Sequence, residues 1–93
     1  MFKTNTYFDD KVMSIAFKNE EGIATVGVMA PGTYSFATTS VEYMTVVSGI
    51  MEVQLPGATE WKTFKAYETF IVEGNTTFDV KVASNTCYKC IYK

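Results

Sequence analysis

Turn signals punctuate this chain at short intervals: KNEEG at 18–22, APG at 30–32, SG at 48–49, LPG at 55–57, EGN at 73–75 and ASN at 83–85. Gly, Pro and Asn supply the dihedrals that turns require. Between them lie short runs rich in Val, Ile, Phe, Tyr and Thr, and no stretch sustains a 3.6-residue period. The pattern is that of an antiparallel all-β domain, with strands predicted over 11–18, 23–29, 33–38, 42–48, 50–55, 60–64, 68–72, 77–83 and 86–92. About nine strands of some six residues, spaced roughly 8 to 12 residues apart, point to a sandwich or barrel.

The 93 residues, 47% hydrophobic and 15% aromatic, are enough for one core, so a single domain over 1–93 is expected. In EYMTVVS, Met44 and Val46 alternate with Tyr43, Thr45 and Val47, leaving neither face polar. Such a strand needs cover on both sides, one side from the barrel interior and the other from a second layer or a partner chain. A homodimer is the expected assembly. The net charge of −2, with no long run of one sign, disfavours nucleic acid and a membrane surface as partners. No apolar segment approaches the roughly 18 residues of a bilayer span, and MFKTNTYFDDK lacks a signal peptide's apolar centre, so a cytosolic protein is expected.

Two absences restrict the chemistry. There is no histidine, which removes the commonest metal ligand and the commonest general base near neutral pH. There is no arginine either; all eight basic residues are lysines, so an anion site must use Lys, hydroxyls or backbone N–H groups. CYKC, Cys87 to Cys90, has redox or zinc-like spacing. On a strand, however, residues three apart face opposite sides about 10 Å apart, beyond the roughly 7 Å reach of a disulfide. Two reduced, unrelated cysteines are expected. Trp61 is expected at the barrel edge or a subunit contact, and Lys62, Lys65, Lys81 and Lys89 at the surface, none identifiable as reaching a pocket.

Tyr34, Phe36, Thr38, Ser40, Glu42 and Met44 share parity, so they face one interior if the strand register holds across the intervening turn. Glu42 is then either the one acid inside a pocket or a strand-end charge facing water.

Gly32, Thr38, Ser40, Glu42 and Gly49 follow nearly the order of the first cupin motif, with Thr38 and Ser40 at its histidine places. ETFIVEGNTTF, Glu68 to Phe78, resembles the second motif, with Phe78 at its ligand place. The resemblance implies a cupin barrel, a double-stranded β-helix or jelly roll, that has lost its metal site. NTYFDDKVMSIAF, ATVGVMAPGTYSF, EYMTVVSG, LPGATEW and CYKCIY, spread over almost the whole chain, are similar to the small pyrimidine/purine nucleoside phosphorylase family of single-domain cupins. This implies phosphorolysis of purine and pyrimidine nucleosides to free base and α-D-ribose 1-phosphate, with phosphate as co-substrate and no cofactor or metal.

Under that resemblance Glu42 is the catalytic candidate, accepting ribose hydroxyls or stabilising the positive charge that develops on the ribose. Tyr34 and Phe36 stack on the base or pack in the core. Thr38 and Ser40 donate to phosphate or satisfy backbone groups near the turn. Phe78 closes the apolar pocket, Met44 is a substrate-binding candidate by its shared parity, and Tyr88 donates a phenolic hydrogen bond or packs outward. The chain departs from the family at Tyr67, where glycine is usual, at Glu73 and Asn75, where proline and histidine occur, and at Ile91, where an arginine is found. These departures keep open a second reading, a non-catalytic module binding a nucleoside- or sugar-like ligand. A metal-dependent cupin using Glu42 with other oxygen ligands is a third.

Overall fold

The computed structural model describes residues 2–93, and its described elements are all strands. They are β1 (Lys3–Tyr7), β2 (Val12–Asn19), β3 (Gly22–Met29), β4 (Gly32–Ala37), β5 (Glu42–Ser48), β6 (Met51–Gln54), β7 (Lys62–Phe64), β8 (Thr69–Val72), β9 (Thr77–Val82) and β10 (Thr86–Tyr92). Nine match the predicted strands to within two residues at each end. Two antiparallel sheets face each other, a six-stranded one in the order β1-β2-β3-β10-β5-β8 and a four-stranded one in the order β4-β9-β6-β7.

Period-two alternation builds the core between them. In β9, Phe78, Val80 and Val82 point in while Thr77, Asp79 and Lys81 do not; in β10, Thr86, Tyr88 and Cys90 point in. Phe78, Met51, Val53, Val80, Val46 and Val72 are almost wholly removed from solvent. Each side chain of that class contributes about 1.5–3 kcal/mol relative to leaving it exposed.

β1 was not expected. KTNTY is polar and largely exposed, the composition of a protected edge strand rather than of a core strand. It pairs with β2 from Lys3 opposite Ala16 to Tyr7 opposite Val12. The link to β2 then holds Phe8, Asp9 and Asp10 at φ of 53°, 56° and 65°, a run of left-handed residues costly for a bulky side chain such as phenylalanine. The turn is closed by Lys11 N–H donating to Phe8 O at 3.2 Å, and it brings the Phe8 ring back over Tyr34 and Phe36, with centroids 5.0 and 5.6 Å away.

The outer face of the six-stranded sheet carries an apolar patch over β2 and β3. Met13 lies opposite Val28 and Ile15 opposite Val26 across β2 and β3, and all four are exposed. Trp61 sits just before the edge strand β7, with the Lys81 ammonium 4.4 Å from its ring centre.

Candidate functional site

Between the sheets, at the end where β5 begins, lies a cavity of about 350 Å3. That is within the roughly 300–1,000 Å3 range of small-molecule sites. β5 supplies Glu42 and Met44, and β10 supplies Tyr88 and Tyr92. Register explains the grouping: Glu42 pairs with Tyr92 and Met44 with Cys90 across β5 and β10, so these inner positions form one patch. Opposite them stand Phe36 from β4 and Phe78 from β9, their rings 5.6 Å apart. Tyr7 and Phe8 enter from the end of β1, and Ser14 from β2. One side of the cavity is therefore aromatic, and the other carries hydroxyls and the Glu42 carboxyl.

Glu42 is half-buried, and the Cys90 thiol donates a hydrogen bond to its Oε1 at 3.5 Å. Burial pushes its pKa above the ordinary glutamate value, offset in part by that thiol. Burial likewise raises Tyr88, to about 12, with smaller contributions from Cys90 and Tyr7, against a lowering by the Ser14 hydroxyl. Cys90 is raised chiefly by burial and then by the neighbouring Glu42 charge. Tyr92 is raised by burial, offset by Thr25, whose Oγ1 lies 3.1 Å from the Tyr92 hydroxyl. At neutral pH the thiol and the two phenols are thus neutral donors.

A backbone detail makes room for Tyr88. Gly27 in β3 lies opposite both Ser14 and Tyr88, and a Cβ there would fall 2.6 Å from the Tyr88 hydroxyl and 2.6 Å from Met13 O. Only glycine fits between those two groups.

Phe36, Glu42, Met44, Phe78 and Tyr88 all reach the lining, whereas Tyr34, Thr38 and Ser40, expected with them, do not. Tyr34 is buried, donates its hydroxyl to Ala30 O at 2.6 Å and backs the Phe8 ring instead of meeting a ligand. Thr38 ties two turns together: its N–H donates to Thr76 O at 2.8 Å, its Oγ1 donates to Glu73 O at 2.7 Å, and that oxygen accepts from Thr76 N–H at 3.1 Å. A hydroxyl so engaged has little left for phosphate. Ser40 packs backbone to backbone against Gly74, where a Cβ would sit 3.1 Å from Ser40 Cα. Tyr7, Phe8, Ser14, Ser35, Thr39 and Tyr92 join the lining without having been expected there.

The departures from the family pattern also miss the cavity: Tyr67, Glu73, Asn75 and Ile91 are absent from its lining. Ile91 alternates with Cys90 and Tyr92 and so belongs to the opposite face of β10. Among the described residues no lysine lines the cavity, and no three His, Cys, Asp or Glu side chains converge on a point that would hold a metal ion. Cys87 and Cys90 are both free thiols.

A family model described as pyrimidine/purine nucleoside phosphorylase matches residues 2–92. A protein of that name from Alcanivorax borkumensis is 56% identical over 92 residues, covering 99% of this chain and 98% of its own. A solved structure of a Vibrio parahaemolyticus protein of unknown function superposes with a TM-score of 0.94 at 42% identity, covering 100% of this chain and 99% of that one. An RmlC-like cupin from Shewanella frigidimarina, 16% identical, superposes with a TM-score of 0.74 over 96% of this chain and 80% of its own, a likeness of fold alone.

Proposed function

Since the chain belongs to the pyrimidine/purine nucleoside phosphorylase family, we propose that its Glu42 cavity is where phosphate cleaves purine and pyrimidine nucleosides to free base and α-D-ribose 1-phosphate. The observation that carries this reading is the two-sided lining. An aromatic wall of Phe36, Phe78 and Phe8 suits a planar base of either class, because stacking is tolerant of base identity. Facing it, Ser14, Tyr88 and Tyr92 offer hydrogen bonds to the ribose and phosphate oxygens.

Cleavage of the N-glycosidic bond develops positive charge on the ribose, by analogy with glycoside hydrolysis. Glu42, the one carboxyl that the described residues bring to the lining, stabilises that charge as the base leaves. Phosphate is the co-substrate, and the absence of histidine supports a reaction without a metal. The alternative of a binding module rests on the departures at Tyr67, Glu73, Asn75 and Ile91; their absence from the lining favours catalysis.

Two further parts of the reading follow from the surface. The apolar patch of Met13, Ile15, Val26 and Val28, with Lys89 beside Val26 at its border, supports a homodimer, since a two-fold axis makes such a patch complementary to itself. The two free thiols support a cytosolic setting.

Incubation with inosine, adenosine, uridine, cytidine and thymidine, with and without phosphate, tests the central activity. Phosphate-dependent appearance of base and pentose phosphate is expected. Nucleosides that raise the melting temperature but survive unconsumed would instead establish the binding module.

A further inference from the structure

The cavity contains six hydroxyl-bearing side chains, Tyr7, Ser14, Ser35, Thr39, Tyr88 and Tyr92, together with one carboxyl and, among the described residues, no cation. Hydrogen phosphate arriving beside an ionised Glu42 would meet like charge in a partly desolvated site with nothing to offset it. Beside a neutral carboxylic acid it would meet hydrogen-bond donors alone.

Burial favours that neutral form, and among the described residues no basic side chain lines the cavity to oppose it. β10 presents Tyr88, Cys90 and Tyr92, and the end of β1 presents Tyr7, none of which brings positive charge to the carboxyl. β8 places the buried Val72 opposite it. Asp79 on β9 is engaged by the Ser35 hydroxyl and lies outside the lining. The hydrogen bond from Cys90, at 3.5 Å from sulfur to oxygen, is a weak stabiliser of a carboxylate.

We propose that Glu42 enters the reaction as the neutral acid, its carboxyl proton passing to the departing base while the carboxylate left behind faces the positive charge on the ribose. This rests on the nucleoside phosphorolysis proposed above. An oxygen lone pair of hydrogen phosphate forms the bond to the anomeric carbon. The bond from that carbon to the base nitrogen breaks, its electron pair staying with the base, and the Glu42 proton neutralises the base. The proton that hydrogen phosphate brought into the ribose phosphate then returns to Glu42, directly or through solvent. Nothing is oxidised or reduced, and the enzyme ends as it began. A carboxylic acid held neutral by its site is a recurring means of general acid catalysis.

Guanosine and 7-methylguanosine separate this role from a ribose anchor. The methylated base is already cationic at mildly acidic pH and departs without a proton; the ribose is the same in both. With the full chain, kcat/KM for phosphorolysis of each is measured for the wild type, Glu42→Gln and Glu42→Asp. Glu42→Gln is expected to lose at least about tenfold more on guanosine than on 7-methylguanosine. It is also expected to lose the fall in guanosine kcat/KM that the wild type shows as pH rises through the Glu42 ionisation. Glu42→Asp, which keeps an acid on a shorter arm, is expected to retain that pH dependence. Equal losses on the two substrates, or an unchanged pH profile in Glu42→Gln, would overturn the proposal and leave Glu42 as a ribose anchor. A wild type that releases base from neither substrate would remove the phosphorylase reading itself, and this inference with it.

Discussion

Thr38 and Glu42 lie four residues apart, one just after β4 and the other opening β5, the first buried and the second half-buried, yet the structure engages them in opposite ways. Thr38 ends up saturated by backbone, bonded to Glu73 and Thr76 so that the turn after β4 and the turn before β9 form one unit. Glu42 has a weak thiol for company and a cavity in front of it. Burial is therefore not what distinguishes a site residue from a structural one. The deciding property is whether a polar group's hydrogen-bonding capacity has already been taken up by the fold.

Breaking the comparison at the Glu42 end should have the largest effect. Glu42→Gln is expected to lower turnover by at least about tenfold, roughly 1.4 kcal/mol of transition-state stabilisation, with the melting temperature preserved or raised. Steady-state kinetics beside a thermal melt would check both halves. At the other end the pattern should invert. Thr38→Val leaves the Thr76 N–H and Glu73 C=O short of a partner, a cost of about 1–3 kcal/mol in stability by denaturant titration, while kcat/KM of the folded protein stays close to the wild type's. A Thr38→Val variant as stable as the wild type but inactive would return Thr38 to the ligand site.

Smaller effects sharpen the boundary between the two roles. Gly27→Ala should lower activity severalfold by displacing the Tyr88 hydroxyl, visible as a fall in kcat/KM, together with some loss of stability from the clash with Met13 O. The pH dependence of stability follows from the raised pKa of Glu42. The folded state holds its proton more tightly than the unfolded state, so the contribution is fully present below the ordinary glutamate value and is lost as pH rises through the folded one. Melting temperatures across mildly acidic pH should therefore fall more with rising pH in the wild type than in Glu42→Gln. Last, Tyr67 is exposed at φ 72°, with its N–H donating to Val46 O at 2.6 Å. Tyr67→Gly relieves a left-handed backbone and should shift stability by no more than about 1 kcal/mol, without touching activity.

Much of this was legible in the sequence. Turn residues and period-two alternation are local signals, and they locate nine strands and the inward Phe36, Glu42 and Met44, while Phe78 comes from the resemblance to the second cupin motif and Tyr88 stays open between the pocket and an outward position. Some overlooked lining residues carried the same kind of signal: Tyr92 shares parity with Tyr88 and Cys90, and Ser14 sits between Val12 and Ala16; Gly27, which makes room for Tyr88, interrupts an apolar strand. β1, Tyr7 and Phe8 carried none. An edge strand is polar because it is exposed, and Phe8 reaches the cavity only through a left-handed turn that phenylalanine does not favour. The engagement of Thr38 is equally non-local, since its partners lie 35 and 38 residues further along the chain.

A crystal structure of the protein soaked with inosine and phosphate tests the central claim most directly. The account predicts the base against Phe36 and Phe78, the anomeric carbon beside Glu42 and phosphate among the hydroxyls of the opposite wall, with Thr38 still bonded to Glu73 and Thr76. Ligand density at the Thr38–Ser40 turn or on the outer sheet face, with the Glu42 cavity empty, would contradict it.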